Sequence, residues 1–309
     1  MENFRLTVFR AVAGQASFRK ASEFLHLSQP AVSQHIHALE EELGCRLFDR
    51  SGTRTSLTPA GRLLLKYAER SVRVLDEARA ALSKLDGEVS GELRLGASTT
   101  VAQYILPRML GVFLKDNLKV TLSVVSGNTE EIVALLLRDS VMLGMIEGPP
   151  RNKEVYVEKF LDDRMVLIAP ASHEWSGMGS VPLNALADVP LLLREQGSGS
   201  RHVVEQALKK AGLSPNKLQI RMALDSTEAI VSGVEAGLGL GFVSQWAIGK
   251  AVRLGTVVPV RVEGFEIHRD LTLIRRLGPA PEGVAAAFQR FALAQNPVPS
   301  SERKAHFRR

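Results

Sequence analysis

The hydrophobic positions of the first 44 residues recur every three or four residues, which is the period of amphipathic α-helices. Three groups have this spacing, and they consist of Leu6, Phe9 and Ala13, then Phe18, Ala21 and Leu25, then Val32, Ile36, Leu39 and Leu43. Ser17 and Ser28 are placed to cap the second and third groups, and Pro30 fits a first helical turn. Gly14 and Gly44 end the first and third groups. The pattern predicts three short helices, the last two joined by a tight turn.

A hairpin and a long helix are predicted next. SGTRTS at 51–56 has the glycine and polar residues of a hairpin tip, and Thr58 with Pro59 is typical of a helix start. The helix extends to about Leu85, and its small and apolar residues follow a heptad spacing that is typical of paired helices. The candidate dimerisation residues are Leu64, Ala68, Ser71, Leu75, Ala78 and Leu82. The polar residues 87–91 then predict a hinge.

Beyond the hinge, short aliphatic runs such as ELRLGA at 92–97 and RMVLIAP at 164–170 alternate with helical patterns. This alternation predicts parallel sheets with helices on both faces. The segment 92–296 is long enough for two α/β lobes, which we place at 92–162 together with 266–296, and at 163–265. The last segment, 297–309, is basic and lacks an apolar period, so we expect a disordered tail.

Composition restricts the class of protein. A chain of 309 residues exceeds a single core of ordinary size, and its net charge of +6 permits a polyanionic partner. No apolar run reaches the roughly 18 residues that span a bilayer, and the first residues do not resemble a signal peptide. We therefore expect a cytoplasmic protein with no membrane partner. Cys45, the single cysteine, excludes an internal disulfide and is interpreted as a small core residue, with a redox role as the alternative.

The polar face of the third helix is a candidate DNA-reading surface. Two helices joined by a short turn form a helix-turn-helix, and glutamine and serine can hydrogen-bond to base edges in a major groove. A face that is merely solvated is the alternative, but residues 46–73 carry seven basic against two acidic side chains, which favours DNA. The candidate DNA contacts are Phe18, Ser28, Gln29, Pro30, Ser33, Gln34, His37, Arg50, Thr53 and Arg54.

The segment from Gly14 to Gly61, GQASFRKASEFLHLSQPAVSQHIHALEEELGCRLFDRSGTRTSLTPAG, resembles the N-terminal signature of LysR-type transcriptional regulators. The resemblance implies an N-terminal all-α winged helix-turn-helix at 1–58, a linker helix at 59–86 and a C-terminal α/β effector domain. It implies that this domain is two-lobed and similar to periplasmic binding proteins. It also implies homodimers or homotetramers on double-stranded promoter DNA, and RNA polymerase is a further candidate partner. Many members have arginine where this chain has Gln34, so the guanine preference of arginine is not transferred.

Small polar residues follow three predicted strands and form a candidate effector site. Because ligands of open α/β sheets bind at the carboxyl ends of strands, and helix N-termini attract anions, we expect a small anionic metabolite there. The candidates are Ser98, Thr99, Thr100, Asn128, Thr129, Glu147, Gly199, Ser200 and Arg201. As alternatives, the hydroxyls could serve only as helix caps, and Glu147 could be a surface acid. The GSGSR run at 197–201 is similar to members that regulate sulfur assimilation or carbon fixation.

Two other classes of protein remain as alternatives. An enzyme would need a nucleophile elbow, a P-loop or metal-spaced histidines, and we find none of these motifs in the sequence. The GLGLG run at 237–241 precedes a predicted strand, whereas a dinucleotide-binding fingerprint follows one. A transport-type binding protein would fit the lobes but not the N-terminal module. We therefore expect no catalytic residues, no metal and no cofactor besides the effector.

Overall fold

The computed structural model describes residues 4–49, 55–85, 89–150 and 152–294. The chain divides into two compact units, Met1–Gly87 and Glu88–Arg309. Within the described residues no helix has both the length and the apolar character needed to cross a membrane. Residues 51–54 of the predicted hairpin tip, residues 87–88 of the predicted hinge and the predicted C-terminal tail lie outside the described residues, and the end of the predicted hinge, Ser90 and Gly91, belongs to a strand.

The first unit contains the predicted helices in the predicted order. They are α1 (Phe4–Gln15), α2 (Phe18–Leu25) and α3 (Gln29–Leu43), followed by the antiparallel strands β1 (Phe48–Asp49) and β2 (Ser56–Leu57) and by α4 (Pro59–Leu85). Ser17 caps α2 by accepting from the Lys20 N–H, and Ser28 caps α3 by accepting from the Ala31 N–H. His26 and Gly44 end the two helices in the left-handed conformation. The helix-turn-helix is thus fixed by local capping chemistry.

The core of this unit lies between α1, α2, α3 and the β1–β2 hairpin. Its buried hydrophobic residues are Val8, Phe9, Val12, Phe18, Ala21, Val32, Ile36, Leu39, Leu47 and Phe48. The hydrophobic spacing of the third helix predicts that Leu43 is buried, but it is 45% exposed, and Cys45, which we interpreted as a core residue, is also exposed. Both lie at the C-terminal end of α3, beyond the core. Gly61 lies so close to the hairpin that a Cβ there would meet the Leu47 carbonyl oxygen at 2.1 Å.

Helix α4 packs one face on this core and leaves another face exposed. Leu64 is half-buried against the core and Ala68 is buried, so much of the surface of these two predicted dimerisation residues already packs against the same chain. Ser71 and Leu75 are half-buried, and the side chains of Ala78 and Leu82 lie outside the described part. The exposed apolar residues are instead Leu63, Tyr67 and Val74. These exposed residues lie beside the predicted seam, which itself stays a prediction.

The second unit is an α/β structure. Its strands are β3 (Ser90–Ser98), β4 (Lys119–Gly127), β5 (Leu143–Glu147), β6 (Val155–Pro170), β7 (Pro190–Arg194), β8 (Gln219–Leu224), β9 (Leu240–Ser244), β10 (Val257–Val260) and β11 (Ile267–Arg276). Its helices are α5 (Leu106–Asp116), α6 (Thr129–Leu137), α7 (Gly199–Lys210), α8 (Thr227–Glu235), α9 (Gly249–Leu254) and α10 (Gly283–Ala294). A π-helical turn at Val101–Ile105 precedes α5.

One nine-stranded sheet runs through the described part of this unit, in the order β4-β3-β5-β11-β6-β9-β7-β8, with β10 also paired to β6. The predicted parallel pairing is correct for β3 with β4 and β5, and for β7 with β8 and β9. It is wrong for β6 and β11, which are antiparallel to each other and to their neighbours. These two strands cross between the lobes, so the predicted lobe boundary at residue 163 lies inside β6.

Candidate functional site

The polar face of α3 lies at the surface of the first unit. Val32, Ile36 and Leu39 are buried on the opposite side of the helix and fix its rotation. Within α3, four of the predicted DNA contacts are consequently exposed, namely Gln29, Pro30, Gln34 and His37, and Ser33 is half-buried. The His37 ring nitrogen lies 3.5 Å from a Glu41 carboxylate oxygen one turn later. The arrangement presents amide and hydroxyl groups on a rigid helix.

Other predicted DNA contacts have different surroundings. The Phe18 ring is buried and packs edge-on against Phe48 at a centroid distance of 5.5 Å, so its side chain belongs to the core of the unit. The Ser28 hydroxyl caps α3. The predicted contacts Arg50, Thr53 and Arg54 lie outside the described residues.

Further exposed basic side chains lie in the same unit. Arg19 and Lys20 occupy the first turn of α2 and are exposed, although Arg19 also lies 3.5 Å from Glu23. Arg46 is exposed at the end of α3, and Arg62 is exposed while its guanidinium donates to the Leu57 carbonyl. Arg19 and Lys20 escaped the sequence analysis because they precede the basic segment that we counted.

The ends of β3 and β5 and the first turns of α6 and α7 meet at one edge of the cleft between the lobes. The Thr129 hydroxyl accepts from the Gly199 N–H at 3.2 Å and donates to the Glu147 carbonyl at 3.4 Å. The Glu130 N–H donates to the Gly197 carbonyl at 3.3 Å. A Cβ on Gly199 would lie 2.0 Å from the Glu147 carbonyl oxygen, so only glycine permits this approach.

A second set of contacts joins the lobes through α8. The Glu147 carboxylate accepts from the Thr100 N–H at 3.1 Å, so Glu147 is buried and not the surface acid we considered. The Thr100 and Thr227 hydroxyl oxygens lie 2.9 Å apart. The Tyr104 hydroxyl donates to the Glu228 carboxylate, and burial, followed by this bond, raises the pKa of Tyr104 above its usual value. In this structure several cleft groups therefore satisfy one another across the lobes.

A buried polar chain lies where β6 and β11 cross. Arg269 of β11 and Asp163 of β6 form an ion pair at 2.7 Å, and they are only 5% and 2% exposed. The guanidinium also donates to the Ser200 hydroxyl at 2.7 Å. On the other side, the Ser244 hydroxyl donates to Asp163 at 2.8 Å and accepts from the Trp246 N–H.

The remaining predicted effector residues form three groups: buried hydroxyls without a hydrogen-bond partner, side chains that already bond to another residue, and residues that line a cavity. Among the described residues no hydrogen-bond partner is found for the buried hydroxyls of Ser98 and Thr99. Asn128 caps α6 in a reciprocal capping box with Glu131. Arg201 pairs with Glu205 at 2.7 Å and also donates to the Arg194 carbonyl, so its expected anion contact stays a prediction. Thr129 and Gly199 line a cavity of about 250 Å³ between α6 and α7.

Sequence reasoning missed Asp163, Arg194, Thr227, Trp246 and Arg269. Asp163 and Arg269 each stand beside other charged residues in their strands, FLDDR and HRD, so the sequence did not single out the charge that is buried. Thr227 follows β8 and opens α8, so the rule used for the other strand ends would have found it. Trp246 carried no pattern, because its position depends on the fold.

Comparison with known families identifies the chain. Residues 86–297 match the family model of the LysR substrate binding domain, and residues 4–62 match that of the bacterial regulatory helix-turn-helix protein of the lysR family. The chain belongs to the LysR family of transcriptional regulators. The family confirms the expected order of a helix-turn-helix followed by a two-lobed α/β effector domain.

Relatives and solved structures agree with the LysR assignment. The chain is 36% identical to the RuBisCO operon transcriptional regulator of Allochromatium vinosum over 291 residues, which cover 94% of this chain and 95% of that one. Full-length CbnR complexed with its target DNA matches at a TM-score of 0.69 and 26% identity, covering 94% and 99% of the two chains. The CcmR regulatory domain of Synechocystis PCC6803 in complex with 2-PG matches at 0.61 and 26%, covering 66% and 97%.

Proposed function

We propose that this LysR-family protein regulates carbon-fixation genes by binding promoter DNA in a manner that a small anionic metabolite controls. The observation that carries DNA reading is the exposed polar face of α3, held rigid by three buried side chains on its other side. The similarity to a RuBisCO operon regulator over nearly the whole chain supports the choice of target genes. The protein acts in the cytoplasm, where the promoter is.

Base recognition is assigned to the exposed residues of α3. Gln34 is central, because a glutamine amide can pair with an adenine edge and contribute about 1–3 kcal/mol of discrimination. Gln34→Ala should therefore reduce preference at one position of each half-site and leave nonspecific binding intact. Gln15→Ala is the matched control, since Gln15 is also exposed but ends α1. Equal operator discrimination by both variants would contradict the assignment. Competition titrations against single-base operator variants provide the measurement.

Oligomerisation is assigned to the exposed apolar residues of α4, Leu63, Tyr67 and Val74. Apolar side chains that recur along one helix face are stabilised by a second helix, and two-fold dimers match palindromic DNA sites. We propose a homodimer that associates further into a homotetramer. RNA polymerase is the proposed partner through which the bound protein changes transcription.

The effector is proposed to be a small anion that binds between the lobes without a chemical reaction. Unpartnered hydroxyls at Ser98 and Thr99 and the first turns of α6, α7 and α8 supply hydrogen-bond donors around the cleft. No cofactor and no catalytic step is needed, since the ligand acts only by its different affinity for two lobe arrangements. The related CcmR domain with 2-PG makes 2-PG the first compound to test.

A thermal-shift measurement on the full chain tests the effector proposal. A ligand present at 100 times its dissociation constant stabilises the folded state by about 2.7 kcal/mol. We expect stabilisation by 2-PG or another phosphorylated or carboxylated metabolite, and loss of that stabilisation in Ser98→Ala. The absence of any stabilising anion, or an unchanged response in Ser98→Ala, would contradict the proposed site.

A further inference from the structure

Arg269 is outside the set of groups that we expect to touch the effector, yet it controls one of them. Its Nε and terminal nitrogen lie 2.7 Å from Asp163, and its other terminal nitrogen donates to the Ser200 oxygen at 2.7 Å. Ser200 lies in the first turn of α7, next to the Gly199 that contacts the other lobe. The chain of polar contacts from the buried ion pair therefore reaches α7 one residue from the contact that Gly199 makes with the other lobe.

The direction of the Arg269–Ser200 hydrogen bond is unambiguous. A guanidinium has five N–H donors and no acceptor, so the Ser200 oxygen must accept and its own proton must point elsewhere. In the part of the chain that the structure describes, no acceptor for this proton is found. Ser200 consequently has a spare O–H donor that Arg269 cannot use.

The same reasoning applies to a second group of hydroxyls, where Thr227 of α8 meets Thr100 of the other lobe. Arg194 is buried and paired with Glu195, and it donates to the Thr227 oxygen at 3.4 Å, which in turn lies 2.9 Å from the Thr100 oxygen. The two threonines share two hydroxyl protons. One of these protons joins the two oxygens, and Arg194 can accept neither. One donor of the pair therefore remains for an outside acceptor.

We infer that Arg269, held by Asp163, is a positioning residue that makes Ser200 a donor towards the effector, so that the cleft selects phosphate or carboxylate oxygens over ligand donors. This inference rests on the proposed function. The effector is then held by neutral hydroxyls and backbone N–H groups. The arginines near the cleft are already paired, Arg194 with Glu195, Arg201 with Glu205 and Arg269 with Asp163.

A double-mutant cycle on the full chain tests whether Arg269 acts through Ser200. Ser200→Ala removes the donor. Arg269→Met combined with Asp163→Asn removes the guanidinium without leaving a buried unpaired charge and keeps an oxygen for Ser244. Ser232→Ala is the control, because Ser232 is exposed on α8 of the same lobe. The probes are 2-PG and inorganic phosphate, and the readout is their dissociation constants by calorimetry.

We expect Ser200→Ala and the Arg269–Asp163 double variant each to weaken binding of the better probe about tenfold, which is the scale of one hydrogen bond to a charged group. In a chain that already carries Ser200→Ala, the further substitutions Arg269→Met and Asp163→Asn should change the dissociation constant less than twofold. The reason is that Arg269 acts on the effector only through the Ser200 hydroxyl, which is then absent. A further tenfold loss would show independent roles and overturn the inference. If the wild-type chain binds neither probe, both this inference and the proposed anionic effector fail.

A measurement on the wild-type chain keeps the inference testable if the double variant does not fold. Binding by neutral donors releases no counterions, so the affinity for the probe should change less than twofold between 50 and 300 mM KCl. Operator affinity should fall steeply over the same range. A steep salt dependence of probe binding would indicate a direct contact with a free cation and would contradict the inference.

Discussion

The close approach of Gly199 to the other lobe allows one prediction to be worked out in detail. In Gly199→Ala the new methyl would lie 2.0 Å from the Glu147 carbonyl oxygen and 2.6 Å from the Thr129 hydroxyl oxygen. Both distances are far below van der Waals contact, and the nearer atom belongs to the backbone. Either α7 must move away from β5 and α6, or the lobes must separate.

The expected cost follows from the contacts that are lost. Accommodating an extra methylene in a packed site costs about 1–3 kcal/mol, and losing the Gly199–Thr129 hydrogen bond adds about 0.5–1.5 kcal/mol. We therefore expect the effector domain to lose about 2–4 kcal/mol of unfolding free energy. Effector affinity should fall as well, since the first turn of α7 is displaced from the cleft.

Chemical denaturation of the full chain, followed at the transition of the effector domain, measures this loss. Gly111→Ala is the matched control, because Gly111 lies inside α5 with no atom near its added Cβ. Removing a helical glycine should stabilise that variant by up to about 1 kcal/mol. Operator affinity of both variants should remain within a few-fold of wild type. Equal stability and equal effector affinity in Gly199→Ala and the wild type would refute the reasoning.

Three further predictions concern α4, the basic surface and the second interlobe contact. Tyr67→Glu should convert oligomers to monomers in sedimentation, whereas Lys66→Glu should not; unchanged assembly of both variants would refute the α4 surface. Lys20→Ala should weaken binding to all DNA sequences and lower the slope of log affinity against log salt by about one, and an unchanged slope would exclude a phosphate contact. Burial and Glu228 raise the pKa of Tyr104 in the folded chain, so folding favours the neutral phenol. The contribution of Tyr104 to the unfolding free energy should therefore be complete below pH 10, the ordinary pKa of tyrosine, and should decline as the pH rises above it. Tyr104→Phe should reduce that alkaline loss, and identical pH profiles for the two proteins would contradict this.

Elements determined by local chemistry were predictable from the sequence. Ser17 and Ser28 cap their helices as expected, because an N-cap depends on residues only three positions away. The start and end of α4 also match the sequence prediction, as Pro59 and the polar residues after Leu85 are local signals. The parallel strand pairs at both ends of the sheet follow from the alternation of strands and helices.

Features that depend on distant residues were not predictable. The crossing of β6 and β11 brings together Asp163 and Arg269, which are 106 residues apart, and no spacing rule connects them. The Arg201–Glu205 pair is different, because its spacing of four residues on a helix is a local signal that our sequence analysis did not use. Phe18 is the converse case, because the hairpin strand that carries Phe48 turns its ring into the core.

Selection of DNA from a random-sequence pool by the full chain tests the central claim most directly. The account predicts an enriched motif with two-fold symmetry, whose preference changes from adenine towards guanine at one position of each half-site in Gln34→Arg. Selection by Gln15→Arg should return the wild-type motif. If the wild-type chain enriches no motif, or if Gln34→Arg returns the same motif as wild type, α3 does not read DNA in this protein.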